Sequence, residues 1–137
     1  MDTNGGGLMT ESKGRILIID DDEAHLDSTR GILEDEGYEV ATHQRAFGAT
    51  NVIREIEPDI VLLDVNMPGL SGEHLYDVFR ANDKTRDVPV VFYSSNDEDA
   101  LRASVAKLGA HGYISKGNPA NLRTRLARYM RQLRPGA

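Results

Sequence analysis

Five short strand-length runs alternate with five helix-length segments along this chain, and the connections between them are short. Three of the runs, ILII, DIVLL and PVVFY, are almost continuously apolar instead of alternating, as strands covered on both faces must be. Together these features predict an α/β fold: a doubly wound, five-stranded parallel sheet with helices on both sides, joined by right-handed crossovers.

The elements follow in order. RILIID (15–20) is an apolar run stopped by acids, hence a buried strand. In EAHLDSTRGILEDEG (23–37), Ala24, Leu26, Ile32 and Leu33 recur at helical spacing, and Gly37 suits the position after a helix end. YEVAT (38–42) alternates as a strand. Residues 47–56 read as a helix closed by Pro58, because the residue before a proline avoids the α region. DIVLLD (59–64) is the second apolar run to end on Asp. NMPGLSG (66–72) is a loop, with Met67-Pro68-Gly69 supplying turn chemistry, and a helix follows over about 72–81. A polar connector (81–87) leads to VPVVFYSS (88–95), a buried strand ending on hydroxyls. NDEDALRASVAKLG (96–109) opens on capping acids and closes on Gly109, as a helix does. HGYISK (111–116) is a short strand, and 119–133 form the last helix. Residues 1–13 are Gly-rich and polar and read as a disordered leader, which leaves 14–134 as one domain without internal repeats.

At 137 residues with 39% hydrophobic and 28% charged side chains, the composition is that of a single folded domain able to bury its own core. Cysteine is absent, which removes disulfides, thiolate metal sites and thiol catalysis. No apolar run reaches membrane-spanning length, and no signal peptide precedes the first strand, so a cytoplasmic protein with no membrane partner is expected. The net charge of −6 is unevenly spread: residues 1–118 carry 11 basic against 22 acidic side chains, whereas 119–137 carry five arginines and no acid. An acidic body repels phosphate backbones and disfavours nucleic acid as a partner.

In an open parallel sheet, ligands bind beyond the carboxyl ends of the strands. There the first strand offers Asp20, Asp21 and Asp22, the third Asp64, the fourth Ser94 and Ser95, and the fifth Lys116. The modest explanation is that acids after strands cap helices. Asp64 weighs against it as the whole account, since its carboxylate would face Asp20 and Asp21, and close like charges require a cation or a proton between them. Loop-borne carboxylates with a neighbouring carbonyl suit Mg²⁺ with retained waters. Neither G-x-G-x-x-G nor G-x-x-x-x-G-K-[ST] follows the first strand, so glycine amides are not there to cradle a nucleotide. Such a site can hold one phosphoryl group, with Mg²⁺ and Lys116 offsetting its charge and Ser94 donating a hydrogen bond.

The acid pair in ILIIDD, Asp64 in VLLDVNMPGLSG, Ser94 in PVVFYSS and Lys116 in GAHGYISK agree in type, order and strand position with one family. Over about residues 14–133 the chain resembles the receiver domains of two-component response regulators. The resemblance implies a flavodoxin-like (βα)5 fold with strand order 2-1-3-4-5. It implies that Asp64 is a phosphoacceptor forming an acyl phosphate. Asp21 and Asp64 would be side-chain metal ligands, Asn66 would add its backbone carbonyl, and Asp20 would hold the Mg²⁺ through water. Ser94 would bond the phosphoryl group, Lys116 would neutralise it, and Tyr113 would be a switch aromatic following the Ser94 hydroxyl. A sensor histidine kinase or phosphotransfer protein is the implied donor, and a downstream protein the implied target. The expected function is that of a single-domain response regulator, not a turnover enzyme on a small substrate. One departure stands out: the family's lysine is normally followed by a cis proline, and here Gly117 follows Lys116. A trans bond and a looser loop are expected, because a cis bond without proline costs roughly 2.5–4 kcal/mol.

Two other functions fit the residues less well. A receiver-like interaction module working without phosphorylation would not need Asp64, the acid pair and Lys116 together. A hydrolase of the haloacid dehalogenase type matches Asp20-x-Asp22 weakly, has Glu23 where its pattern has Thr or Val, and leaves Asp64 unexplained. Asn66 and Asn96 flank the site and are expected to tune water access. His25, His43, His74 and His111 are scattered and read as surface or packing residues. In the last helix Leu122, Leu126, Tyr129, Met130 and Leu133 share one face. Arg123, Arg125, Arg128, Arg131 and Arg134 spread over the other, as a solvated face or a docking surface for an acidic partner. The surface made by the fourth helix, fifth strand and last helix is the expected output face.

Overall fold

The computed structural model describes residues 12–67 and 71–133; the leader up to residue 11, Pro68-Gly69 and Arg134 lie outside the described residues. Ten elements alternate: β1 (Arg15–Ile19), α1 (Glu23–Asp35), β2 (Glu39–His43), α2 (Ala49–Ile56), β3 (Ile60–Leu63), α3 (Gly72–Arg80), β4 (Val90–Ser94), α4 (Glu98–Leu108), β5 (Gly112–Ser115) and α5 (Pro119–Leu133). All pairings are parallel, and the sheet runs β2-β1-β3-β4-β5, the 2-1-3-4-5 order. No described helix is long and apolar enough to cross a membrane.

The continuous apolar runs sit on the three central strands, where both faces are covered. Leu17, Ile19, Val61, Leu63, Val90 and Phe92 point into one core layer with Ile53, Leu75, Phe79 and Leu101. Ile16, Ile18, Ile60, Leu62, Val91 and Tyr93 point into the other, with Leu26, Leu33, Leu122 and Leu126. Burying each such aliphatic side chain is worth roughly 1.5–3 kcal/mol, and these layers hold the three strands in register.

Helix ends follow local chemistry. Asp22, Ser71 and Asp97 cap α1, α3 and α4, each accepting from the N–H three residues on. At the end of α1, Gly37 takes φ 102°, its N–H reaches Glu34 O at 3.0 Å, and Tyr38 N–H reaches Leu33 O at 3.2 Å. This pair of bonds is a Schellman closure. Helix α2 starts at Ala49, two residues later than periodicity predicts, because Gly48 is left-handed (φ 81°) and Phe47 is left 84% exposed. It ends before Pro58 as expected, but through Glu57 in the left-handed region at φ 53°. In α1 the buried face is Leu26, Thr29 and Leu33, while Ala24 is exposed. Helical spacing marked the stripe but placed its edge one turn too early.

Candidate functional site

The hydrogen-bond ladder runs one residue past the carboxyl ends of three strands, and that residue is each time a charged one. Asp20 N–H donates to His43 O (3.1 Å), Asp64 N–H to Ile19 O (3.0 Å) and Lys116 N–H to Ser94 O (2.9 Å). The sheet thereby fixes the backbone under Asp20, Asp64 and Lys116.

The three acids after β1 divide the work between them. Asp22 is the α1 cap, receiving His25 N–H at 3.1 Å, so the modest reading holds for that residue. Asp20 is buried and turns its Oδ1 to Asp22 N–H (3.0 Å). Its Oδ2 receives Lys116 Nζ at 2.6 Å. Asp21 is exposed. Carboxylate oxygens of Asp20, Asp21 and Asp64 lie within 4.8 Å of one another, close enough to share one cation. Two of these groups are almost without solvent, and among the described residues a single lysine faces both, so the cluster there is short of positive charge. All-oxygen donors at that spacing fit a hard divalent ion.

Asp64 accepts Asn66 N–H at 2.9 Å on Oδ1 and lies 3.4 Å from Lys116 Nζ through Oδ2. Burial pushes its carboxyl above the usual range, and the Asp20 charge adds to that; the Asn66 N–H and Lys116 pull the other way. Burial works to lower Lys116, yet the bond to Asp20 and the two carboxylate charges outweigh it and hold the ammonium above its ordinary value. Lys116 therefore stays charged, and Asp64 is a nearly buried carboxyl group facing that cation.

Ser94, fully buried, accepts from Asn66 Nδ2 (3.0 Å) and from Asn96 N–H (3.2 Å), which leaves its proton to donate. Asn66 Nδ2 also donates to Asn96 Oδ1 at 2.7 Å, so one amide spans the mouth of the site between β3 and β4. The structure thus gathers Asp20, Asp21, Asp64, Asn66, Ser94 and Lys116 at one edge. Tyr113 stands apart on the α4–β5–α5 surface: its hydroxyl donates to Glu98 Oε1 (3.1 Å) and accepts from Arg102 (3.3 Å). The Arg125 guanidinium covers its ring at 4.7 Å.

Some assignments change in three dimensions. Arg125 does not join a solvated arginine face; it is half-buried against Tyr113 and donates to the Tyr129 hydroxyl at 3.1 Å. The Lys116–Gly117 bond is trans as expected, with Gly117 at φ 99°. His111 is exposed, and its ring meets Tyr129 edge-on at 5.4 Å. Two residues went unnoticed in the sequence. Tyr93 reads there as one more apolar strand residue, but its ring lies 5.6 Å from Lys116 Nζ. Gly72 reads as the end of a loop, but it packs on the backbone of Asp64 and Val65. A second glycine four residues after Pro68 was the one available signal for the latter.

Residues 16–127 match the response regulator receiver domain. Among curated proteins, the phosphate regulon transcriptional regulatory protein PhoB of Klebsiella pneumoniae is 32% identical over 124 residues, covering 90% of this chain and 54% of that protein. The polar-differentiation response regulator DivK of Brucella anthropi is 30% identical over 105 residues, covering 74% of this chain and 82% of its own. The chain spans about half the length of the PhoB relatives it matches. Among solved structures, a response regulator from Desulfuromonas acetoxidans superposes with a TM-score of 0.77 at 26% identity, covering 87% of this chain and 98% of that one. Chemotaxis protein CheY4 of Vibrio cholerae gives 0.75 at 25% identity, covering 84% and 97%. The family match runs from β1 into α5 and so takes in every strand that feeds the acidic edge: this chain belongs to the response regulator receiver domains.

Proposed function

We propose that residues 14–134 form a phosphorylation switch in which Asp64 accepts a phosphoryl group from a phosphohistidine on a sensor kinase or phosphotransfer protein. The observation that carries this reading is the buried Asp64 carboxylate, set between Asp20 and Lys116 with Ser94 on the neighbouring strand. An Asp64 oxygen forms the new O–P bond as the donor's P–N bond breaks, the imidazole nitrogen keeping the electron pair. Lys116 and the Ser94 hydroxyl face the phosphoryl oxygens, and the Asn66 amide must leave Ser94 to admit them. Asp20, Asp21, Asp64 and the Asn66 carbonyl would hold Mg²⁺, which when bound supplies positive charge against the carboxylates and the phosphoryl oxygens.

Output follows from the same hydroxyl. Pulling Ser94 toward the phosphoryl group frees space beneath Tyr113, whose ring now sits outside on Glu98, Arg102 and Arg125. The population moves only as far as the phosphoryl group distinguishes the two states. A downstream protein would then read the α4–β5–α5 surface.

Beryllofluoride with Mg²⁺, followed through the amide spectrum, tests the reading. Shifts are expected around Asp64 and Ser94 and across 98–104, 112–115 and 119–133; they should vanish in Asp64→Ala and on chelation of the metal. An unchanged wild-type spectrum, or equal shifts in Asp64→Ala, refutes phosphoacceptance and favours an interaction module that needs no phosphate.

A further inference from the structure

Lysine has four rotatable carbons and no shape of its own, so an ammonium that must meet one phosphoryl oxygen needs a wall to lie against. The backbone supplies only half of one. On the near side Lys116 N–H is tied to Ser94 O at 2.9 Å. On the far side Gly117 is exposed, left-handed at φ 99°, and has nothing within 4 Å of the place a Cβ would occupy. Where the family's pattern places a ring-locked proline, this chain has the residue that restrains its neighbour least.

Beside the lysine stem stands Tyr93, the residue before Ser94 on β4. Its side chain is buried, and its ring centroid is 5.6 Å from Lys116 Nζ. That ring cannot swing away. His25, on the first turn of α1, stacks on it with centroids 5.4 Å apart and an interplanar angle of 23°. The buried Thr29 hydroxyl sits 3.4 Å from its hydroxyl, and Leu26 and Leu122 belong to the same core layer. An aromatic face attracts a cation through its quadrupole, most strongly where water is kept out, and the Lys116 side chain is only 14% exposed. The two carboxylates draw the ammonium toward the site, but Asp21 and solvent lie on the open side and draw it outward as well. The buried, stacked ring is the one aromatic face beside the ammonium among the described residues.

We propose that Tyr93 is a positioning residue for Lys116: its ring face, clamped by His25 and Thr29, holds the ammonium over Asp20 and Asp64 in a loop where glycine has removed the proline restraint. The proposal rests on the reading of Lys116 as the cation that meets the phosphoryl group. It assigns the effect to the aromatic face and not to the hydroxyl, so phenylalanine should replace tyrosine here and leucine should not.

The direct readout uses the wild type without metal or phosphoryl analogue. The chain has four lysines, and the ε-methylene protons of Lys116 should be displaced upfield of those of Lys84 and Lys107 by the ring current. The displacement should persist in Tyr93→Phe and disappear in Tyr93→Leu. With Mg²⁺ present, beryllofluoride affinity should fall about tenfold in Tyr93→Leu and less than twofold in Tyr93→Phe. An undisplaced Lys116 in the wild type overturns the proposal even if the leucine variant does not fold. Equal loss in both variants also overturns it, by assigning the effect to the hydroxyl and its Thr29 contact. The two failures are distinct: a wild type that ignores beryllofluoride refutes phosphoacceptance, whereas a normal response with an undisplaced Lys116 refutes the role of Tyr93 alone.

Discussion

Gly72→Ala separates two opposite expectations. By helix propensity alone, alanine at the first residue of α3 should stabilise the protein by up to about 1 kcal/mol. Packing says the reverse. A Cβ at this position would stand 2.6 Å from Val65 Cα and 3.0 Å from Asp64 C, and closer still to the Asp64 carbonyl oxygen. Restoring ordinary contact requires the two backbones to part by roughly 0.8 Å. Helix α3 is badly placed to give way: Ser71 caps it, Gly72 N–H reaches Val65 O at 3.2 Å, and Leu75, Tyr76 and Phe79 are buried beneath it. The peptide following Asp64 must absorb much of the shift, and it carries the carboxylate with it. Overpacking of this kind costs about 1–3 kcal/mol, which exceeds the propensity gain. Displacing a reacting group by something near 1 Å can cost on the order of 100-fold in rate. Thermal denaturation by circular dichroism should therefore show a lower Tm, and phosphorylation by phosphoramidate with Mg²⁺ should slow by about 10- to 100-fold. A variant as stable as wild type and phosphorylated at the same rate would refute the reasoning. A lower Tm with an unchanged rate would show that the helix moved and the strand end did not.

Tyr129→Phe should lower stability by about 1–2 kcal/mol, because one hydroxyl pairs both Tyr113 N–H (3.1 Å) and Tyr113 O (3.0 Å) on the edge strand β5. A Tm within a degree of wild type would show that water replaces both bonds. Gly117→Ala should cost about 1–2 kcal/mol purely through its φ of 99°, since the surrounding space is open. Denaturant titration reads this directly, and an unchanged midpoint would mean that the loop takes another conformation at no cost.

The sequence carried the strands, the helix caps and the charged strand ends, and the reason is that all three are local. An apolar run that stops on an acid states both its burial and its edge, which is why Asp20 and Asp64 could be named without coordinates, as Lys116 could at the end of the short strand HGYIS. The same holds for Gly37 and Gly109, whose left-handed φ values of 102° and 82° close the helices they follow. What the tertiary structure decided are relations between residues far apart in the chain. Asp20, Asp21 and Asp22 are alike as letters, and only the fold leaves Asp21 exposed and buries Asp20 against a lysine 96 residues away. Arg125 belonged by its spacing to a solvated stripe until β5 placed Tyr113 beneath it. Tyr93 gave no local sign of its contact, and Gly72 only a second glycine after Pro68, because a ring beside an ammonium, or a backbone against a backbone, exists only once β4, β5 and α3 are docked. Periodicity tells which residues turn inward; only packing tells what they meet there.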